Sequence, residues 1–304
     1  MRGLLVAGLG LALAAAVAGC SGKHRKANRQ AGDARAQPAP QASEARAQAD
    51  AGPSALCDGA SHQLAPGLEL RRLRAVTPPE VGSGDRCVTM LRADPGRFRP
   101  RLLTVADGGP KRASDWGLVA AINAALFHDD GRGIGLMVAR GRVVNGSDNP
   151  KLGGYLAFDP RRAGLAPLAL FGRDCEGFDL ARVRADYATV VQSYRLLDCA
   201  GQPIAWQDDK SYSAAAVGID SAGWLVMLHV RTPYRMTVLA RELLAALPEL
   251  RGVLFVEGGP EASLYASAGG RTVAEMGSFE TGFTEDDLNH EFWPLPNVIG
   301  LEAR

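Results

Sequence analysis

The chain has 304 residues, a formal net charge of +1 at pH 7 and a hydrophobic fraction of 46%. This length and composition allow a normal globular core in one large domain or two small ones. The near-neutral charge argues against a dedicated nucleic-acid binder, and the aromatic content of 6% offers little for base stacking. No nucleic-acid partner is therefore expected.

Residues 1–19 have the pattern of an export signal. Arg2 supplies the positive start, and the apolar run at 4–18 is shorter than the ~20 residues that a membrane-spanning helix needs. Small residues then lead to Cys20, an arrangement that resembles a lipobox, in which the cysteine is acylated and the preceding peptide is removed. An ordinary secretory signal with an incidental Cys20 is the alternative. Ser21 follows instead of Asp, which by resemblance to Gram-negative lipoproteins indicates the outer membrane.

The next segment, residues 20–55, is predicted to be a lipid anchor and a disordered stalk. It contains mostly Ala, Gln, Arg, Lys, Pro and Gly, so it cannot bury enough apolar surface to offset the entropy lost on ordering. A basic cluster at 23–29 could contact anionic headgroups, or could equally be a solvated charge run. The folded domain is expected at 56–304, with membrane contact only through the anchor.

Four further cysteines, Cys57, Cys87, Cys175 and Cys199, lie in the predicted domain. An even number in an exported chain indicates disulfides, and four cysteines allow three pairings. The pairing between sequence neighbours, Cys57–Cys87 and Cys175–Cys199, is favoured. No pair has the C-x-x-C spacing of a zinc or redox site, so no metal ligands are assigned to them.

Short apolar segments separated by Gly, Pro and Asp predict strands along most of the domain. They are 68–76, 86–93, 99–105, 118–122, 135–139, 142–144, 214–219, 224–230 and 251–256. Helices are predicted at 180–186, just before Trp116, and at 237–247, where Thr237 is the expected cap. The fold class is therefore α+β (mixed α/β): one domain with a curved, largely antiparallel mixed β-sheet flanked by a few helices.

Two polar positions stand where predicted strands end. Asn123 closes the apolar strand at 118–122 and is followed by small residues, Phe127 and the acidic loop that contains Asp129. Such a residue is either part of an active site or satisfies a turn. Glu257 closes the strand at 251–256 and is followed by Gly258 and Gly259.

The Gly-Gly pair permits a close backbone approach, and Pro260 suits the first turn of a helix that would contain Glu261. A helix start at this point could present amide groups to a phosphate. Glu257 could act as acid, base or nucleophile, whereas a tight turn with an exposed Glu is the alternative. Arg195 lies within another apolar strand, where it needs either a ligand phosphate or a structural ion pair.

These segments, in this order, resemble the phosphodiester glycosidase family over about residues 67–300. The family motifs correspond to Ile-Asn-Ala-Ala-Leu-Phe at 122–127, a Gly-rich hairpin at 135–145, Gln-Ser-Tyr-Arg-Leu-Leu at 192–197, Val-Gly-Ile-Asp at 217–220 and Glu-Gly-Gly-Pro-Glu-Ala-Ser at 257–263. The chain departs from the family pattern at several points. The motif at 122–127 has one extra residue, Glu257 replaces the usual Asp, and Arg195 replaces the usual Pro. The usual Arg before the Val-Gly strand is not evident, and Lys210 or Ser211 lies near its place.

The resemblance implies a hydrolase that cleaves a sugar-1-phosphodiester in an envelope or extracellular polymer. It implies catalytic roles for Glu257 and Asn123, with Glu261 and Asp129 as alternative carboxylates. The remaining substrate or phosphate contacts implied are Gly258, Gly259, Ser263, Arg195, Gln192, Phe127 and Gly135. No cofactor is required, although a divalent metal stays an open alternative. The rival interpretations are a non-catalytic phosphosugar-binding lipoprotein and an envelope scaffold whose glycines serve only turns.

The lipobox interpretation gives a first testable prediction. Replacing Cys20 by Ser should leave the precursor uncleaved and without lipid, because the acylated thiol is lost. Membrane partition and the mass of the N-terminal peptide measure this outcome. Unchanged processing and partition in that variant would instead indicate a plain secretory signal.

Overall fold

The structure is a computed structural model that describes residues 57–207 and 209–304. The predicted signal, Cys20 and the predicted stalk lie outside the described residues. Within them, no helix is long and apolar enough to cross a membrane.

The described residues contain sixteen strands and two α-helices, joined by short 3-10 turns. The strands are β1 (Ser61–Ala65), β2 (Leu68–Arg74), β3 (Cys87–Ala93), β4 (Phe98–Leu103), β5 (Ala120–Asn123), β6 (Met137–Ala139), β7 (Arg142–Asn145), β8 (Gly154–Pro160), β9 (Leu168–Gly172), β10 (Tyr187–Arg195), β11 (Tyr212–Asp220), β12 (Leu225–Tyr234), β13 (Leu250–Gly258), β14 (Ser263–Ala268), β15 (Arg271–Met276) and β16 (Val298–Ala303). The helices are α1 (Leu180–Asp186) and α2 (Met236–Ala246).

The strands form two sheets that pack on one shared core. The first sheet has the order β1-β2-β3-β12-β11-β13-β10-β6-β7, with β8 beside β10 and β9 beside β8. The second has the order β15-β14-β5-β16-β4. A single apolar cluster contains Val217 and Leu254 from the first sheet together with Ile122, Leu264 and Ile299 from the second. The core between the sheets therefore holds the two layers together.

The protein is a mainly β domain, and the expected mixed sheet is wrong. Every strand pair in the described residues is antiparallel. Parallel pairs need long crossover connections, usually helical, and the described part of the chain has only two α-helices to supply them. The largely antiparallel character and the small number of helices are confirmed.

Helix α2 covers the outer face of the first sheet. Leu239, Leu243 and Leu247 pack with β11, β12 and β13 in a second apolar cluster, as their spacing predicts. The expected cap at Thr237 is wrong, because Arg235 occupies the N-cap position without a side-chain hydrogen bond. The Thr237 hydroxyl instead accepts from the backbone N–H of Trp206 at 3.0 Å. Helix α1 has the predicted bounds, and the element ending at Trp116 is a 3-10 turn.

Two disulfides link distant strands and loops, and both have the predicted pairing. Cys57–Cys87 joins the start of the described chain to β3, with a Cα–Cα distance of 5.6 Å. Cys175–Cys199 joins the loops after β9 and β10, with a Cα–Cα distance of 5.5 Å. Such bonds persist in oxidising compartments, which agrees with export.

The disulfide assignment can be tested by peptide mapping of the unreduced protein, which should recover both linked pairs. Replacing Cys175 and Cys199 together by Ala should lower the unfolding free energy by about 2–4 kcal/mol, because the unfolded chain regains the entropy of an open loop. Denaturant titration measures the change. Free thiols at all four positions in the mapped protein would contradict the assignment.

Candidate active site

The chain crosses from the first sheet to the second between Glu257 and Ser263, a segment called here the crossing. Glu257 and Gly258 are the last residues of β13, and Ser263 is the first of β14. Between them lies a single 3-10 turn, Gly259–Glu261. The helix predicted after Pro260 is therefore wrong: one turn is followed at once by a strand, so no helix N-terminus is available for a phosphate.

A β-bulge immediately before Glu257 decides which way this side chain is directed. Phe255 pairs with Ala216 and Glu257 pairs with Ala215, so Val256 is an extra residue in β13. Phe255 belongs to the cluster under α2, whereas Val256 and Ala215 belong to the core between the sheets. The bulge thus moves Glu257 from the helix-covered face to the face between the sheets. Bulges are common beside active sites, where they redirect a side chain in this way.

Glu257 is a largely buried carboxylate, with 8% of the residue exposed. Its Oε1 atom accepts a hydrogen bond from the backbone N–H of Gly258 at 3.1 Å. This carboxylate therefore lies largely out of solvent at the end of an apolar strand.

Asn123 reaches the crossing from the second sheet. Its Nδ2 atom donates to the carbonyl of Glu261 at 3.0 Å, and its Oδ1 atom accepts from the N–H of Ser263 at 2.8 Å. The Ser263 hydroxyl also donates to the Glu261 carbonyl at 2.9 Å. Asn123 is 1% exposed and uses both ends of its amide in this way. The structure therefore brings Asn123, Glu261 and Ser263 together, with Glu257 and the two glycines in the same crossing.

Gly259 allows two carboxylates to approach the backbone of the crossing. Its φ is +69°, and a Cβ placed there would lie 2.7 Å from Oε2 of Glu280 and 3.5 Å from Oε2 of Glu261. Any side chain would be strained by this φ and would collide with Glu280. Glu280 lies 21 residues beyond Gly259 in a loop without a motif, and the sequence analysis missed it. Its bridge to Tyr212 of β11 could not be read from the sequence.

The loop between β15 and β16, residues 277–297, is fixed against the crossing. Nη1 of Arg231 donates to the carbonyl of Met276 at 2.7 Å, and Nη2 donates to the carbonyl of Asn289 at 2.9 Å. The Asn289 side chain donates to the carbonyl of Gly277 at 2.7 Å. Arg231 also pairs with Asp287 at 2.6 Å. These contacts hold both ends of the segment that carries Glu280.

Arg195 contacts residues outside the crossing. Its Nη2 atom pairs with Asp174 at 2.5 Å, and Nη1 donates to the sulfurs of Cys175 and Cys199 at 3.0 and 3.4 Å. Among the described residues, none of its hydrogen bonds goes to the crossing. Asp174, Cys175 and Cys199 have the spacing of metal ligands, but both sulfurs are committed to the disulfide.

Gln192 and Gly135 come together at a different point, the loop before β8. Oε1 of Gln192 accepts from the N–H groups of Leu136 and Asn149, at 2.9 and 3.0 Å. A Cβ on Gly135 would lie 2.9 Å from the same oxygen. Gln192 therefore organises the backbone of this loop, which explains why residue 135 must be small.

Phe127 and Asp129 lie in the loop that leaves Asn123. Phe127 forms a β-bridge with Gly133, and the N–H of His128 donates to the carbonyl of Arg132 at 2.8 Å. Asp129 is exposed near the tip of this hairpin-like loop. Asp129 is therefore solvated, unlike Glu257.

A row of paired residues extends from Glu257 across the inner face of the first sheet. Ala215 pairs with Glu257 on one side and with His229 on the other, and His229 pairs with Thr89 of β3. Directly paired residues share a face of the sheet. Thr89 in turn donates to Glu275 of β15 at 3.1 Å, across the core.

Burial shifts the pKa of His229, which belongs to this row, and that of Asp85, which lies near it. Burial lowers the pKa of His229 to about 4; the nearby Asp85 carboxylate and a hydrogen bond to the Ala262 backbone oppose this shift, and Arg231 adds to it. Burial also raises the pKa of Asp85 above its usual value. His229 is therefore a neutral ring at pH 7.

Comparison with known proteins places these features in context. The family model described as phosphodiester glycosidase matches residues 117–302, and among proteins of curated function none matches the chain in sequence. The catalytic domain of zebrafish N-acetylglucosamine-1-phosphodiester alpha-N-acetylglucosaminidase, auto-inhibited by its pro-peptide, is similar in structure. It has a TM-score of 0.53 and 16% identity over 80% of this chain and 86% of that one.

A hypothetical protein from Synechocystis is also similar, with a TM-score of 0.50 and 12% identity over 80% of this chain and 63% of that one. At these identities the two structures support the fold alone. The family match extends over more than half of the sequence, from just before β5 into β16, and includes Asn123, the crossing and Glu280. The chain therefore belongs to the phosphodiester glycosidase family.

Proposed function

We propose that this protein hydrolyses a sugar-1-phosphodiester of an envelope or extracellular glycopolymer. The observation that carries the proposal is the crossing itself: a buried carboxylate, Glu257, redirected by a bulge and followed by a turn that Asn123 holds in place. Membership of the family supports the reaction class. Phosphate is a good leaving group, so the main task is to stabilise an oxocarbenium-like transition state.

In this proposal Glu257 is the leading catalytic carboxylate. Glycosidases use two carboxylates. One is a general acid that protonates the leaving group, and the other is either the nucleophile or the base that activates water. Glu261 and Glu280, whose oxygens flank Gly259, are the candidates for the second. Both come from segments held by partly buried hydrogen bonds, whereas Asp129 lies in an exposed loop and is the weaker alternative.

The Gly258–Gly259 backbone is the proposed contact region for substrate. Carboxylates accept hydrogen bonds from hydroxyl groups and repel phosphate, so we place the sugar, rather than the phosphate, on the Gly259 side. Arg195 is not retained as a phosphate contact in this proposal, because its guanidinium is engaged with Asp174 and the disulfide.

The first test is turnover of sugar-1-phosphodiesters by the purified protein, with and without divalent metals. Glu257→Gln should reduce kcat by about 10²–10⁴, because the amide keeps the shape but cannot act as acid, base or nucleophile. The matched control is Glu249→Gln, which removes a half-buried charge paired with Arg71 just before β13 and should leave kcat unchanged.

Near-normal kcat in a folded Glu257→Gln protein would remove Glu257 from the mechanism and transfer the role to Glu261 or Glu280. Binding of a phosphosugar by the wild-type protein without hydrolysis of any diester would favour the rival binding-protein interpretation.

A second variant tests the hydrogen bonds by which Asn123 fixes the crossing. Asn123→Asp keeps the acceptor for Ser263 but places a carboxylate against the Glu261 carbonyl, so we expect a loss of about 1–3 kcal/mol in stability and a lower kcat. Thermal unfolding and steady-state kinetics measure the two effects. Asn149→Asp is the control, since Asn149 also donates to a carbonyl, that of Ile134, and accepts from a backbone N–H. Equal loss of kcat in both variants would argue against a specific role for Asn123.

A further inference from the structure

Six arginines with exposed side chains form one cluster that draws on both sheets and on helix α1. They come from β4, from the hairpin between β6 and β7, from the residues just after β8 and from α1. The proposed chemistry uses none of them. The cluster, called here the basic surface, consists of Arg99, Arg140, Arg142, Arg161, Arg162 and Arg182.

Contacts around Thr189 of β10 join β4 to the hairpin. Arg99 pairs with Asp159 at 3.1 Å, and Asp159 accepts a hydrogen bond from the Thr189 hydroxyl at 2.7 Å. The same hydroxyl oxygen accepts from the backbone N–H of Arg140 at 3.1 Å. Arg99 of the second sheet and Arg140 of the first therefore lie at one place.

Further contacts join the hairpin to helix α1. A Cβ on Gly141 would lie 3.4 Å from Nη2 of Arg161, whose backbone N–H donates to the carbonyl of Asp186 at 2.8 Å. The Asp186 carboxylate pairs with Arg162 at 3.0 Å and with Arg182 at 3.7 Å. The six arginines are thus connected from one element to the next.

Three carboxylates lie beneath the guanidinium groups. Asp107 pairs with both Arg140 and Arg142, at 3.5 and 3.2 Å, while Asp159 and Asp186 hold the partners described above. The three acidic side chains are 11–20% exposed, whereas the arginine side chains paired with them are 44–73% exposed. The positive charges therefore face the solvent and the negative charges lie under them.

The charge of the basic surface is opposite to that of the domain. Six guanidinium groups against three carboxylates leave a formal charge of +3. Residues 57–304 as a whole contain 27 Lys and Arg and 30 Asp and Glu, which is a formal charge of −3. A general excess of basic residues therefore does not account for this cluster, and its charge favours an anionic partner.

The chemistry of the side chains narrows the partner further. All six are arginines, and the planar guanidinium binds phosphate through two parallel hydrogen bonds. The paired carboxylates restrain the arginines, so less side-chain entropy is lost when a ligand binds. A chain with a phosphate in every repeat can contact several guanidinium groups at once, which strengthens contacts that are weak alone.

We propose that the basic surface is a docking site, separate from the crossing, for the phosphodiester backbone of a glycopolymer. The choice of polymer rests on the proposed function, which takes such a polymer as substrate. An anionic membrane has related headgroup chemistry and is the less favoured partner. The exposed large apolar side chains beside the basic surface are two valines, Val105 and Val143, whereas aromatic residues usually anchor proteins at a lipid interface.

Binding of a phosphodiester polymer to the purified protein tests the proposal. The probe is poly(glycerol phosphate), with neutral dextran as the uncharged comparison. Replacing Arg140, Arg142 and Arg161 together by Gln should weaken binding of the probe by about tenfold or more at low salt. The difference from wild type should shrink as the salt rises from about 0.01 M to about 0.15 M, because the Debye length falls from about 30 to about 8 Å.

The matched control replaces Arg241, Arg251 and Arg271 together by Gln. These arginines are exposed and lie outside the basic surface, so the protein loses the same charge in other places. The affinity of the control for the probe should stay within about twofold of wild type. Equal weakening in the two triple variants would show that only the net charge matters, and would overturn the proposal.

A single variant should change the affinity in the opposite direction. Asp159→Asn removes the carboxylate that neutralises Arg99, and Asn tolerates the positive φ of 57° at this position. Affinity for the probe should rise by about threefold, because one guanidinium is released toward the solvent. Unchanged or weaker binding in this variant would contradict the docking site.

The remaining outcomes separate this inference from the proposed function. Turnover of small diesters by a protein that does not bind the probe would overturn the docking site alone. Arginine-dependent binding of the probe without turnover of any diester would support the docking site and count against the proposed hydrolysis. Vesicles with and without phosphatidylglycerol test the other partner: arginine-dependent binding to the anionic vesicles, with no binding of the probe, would assign the surface to a membrane and overturn the proposal.

Discussion

The passage of the chain from one sheet to the other is the constraint on which the rest of this structure depends. At residues 257–263 the backbone leaves the hydrogen-bond ladder of β13 and enters that of β14, with only one 3-10 turn between them. Buried backbone groups must find partners elsewhere when a ladder ends. Asn123 supplies them for Glu261 and Ser263, and so fixes the backbone of the turn in the candidate site.

The bulge at Val256 is the second element of this arrangement. A regular strand would place Glu257 opposite to Val256 and on the face covered by α2. The extra residue in β13 reverses once the alternation of side chains between the two faces of the sheet. A strand whose side chains pack in two separate apolar clusters therefore ends with the Glu257 carboxylate between the sheets. The site is thus produced by a local departure from strand geometry within an otherwise regular sheet.

Local sequence patterns predict those features that depend on neighbouring residues alone. Asn123 and Glu257 were found because each follows an apolar run, and the disulfides followed from cysteine number and order. The hairpin at 140–141 was also predictable, since Arg140 and Gly141 both have positive φ, as a two-residue turn requires. Strands β1, β8, β9, β14, β15 and β16 were missed. The strand character of β14 and β16 comes from β5 and β4, which are far away in the sequence. Strand β15 was missed although its partner β14 is the preceding strand.

Features that depend on contacts between distant segments were not predictable in the same way. Glu280 lies beside Gly259 in a loop that Arg231 and Asn289 anchor and that also bridges to Tyr212 of β11, and no pattern around Glu280 indicates these contacts. Arg195 was correctly seen to need an anion within its strand, but its partner Asp174 lies in a loop 21 residues earlier. The sequence therefore specifies which residues are polar and buried, while the tertiary fold decides which of them meet.

The anchoring of the loop at 277–297 has a consequence for which residues of the loop it depends on. Arg231 donates to main-chain carbonyls at both ends of the anchored segment, and these are present whatever side chains those residues carry. Its ion pair with Asp287 and the contact of Asn289 with Gly277 instead use side chains of the loop itself. The hold on the loop is thus divided between main-chain contacts, which do not depend on the sequence of the loop, and two side chains, which do.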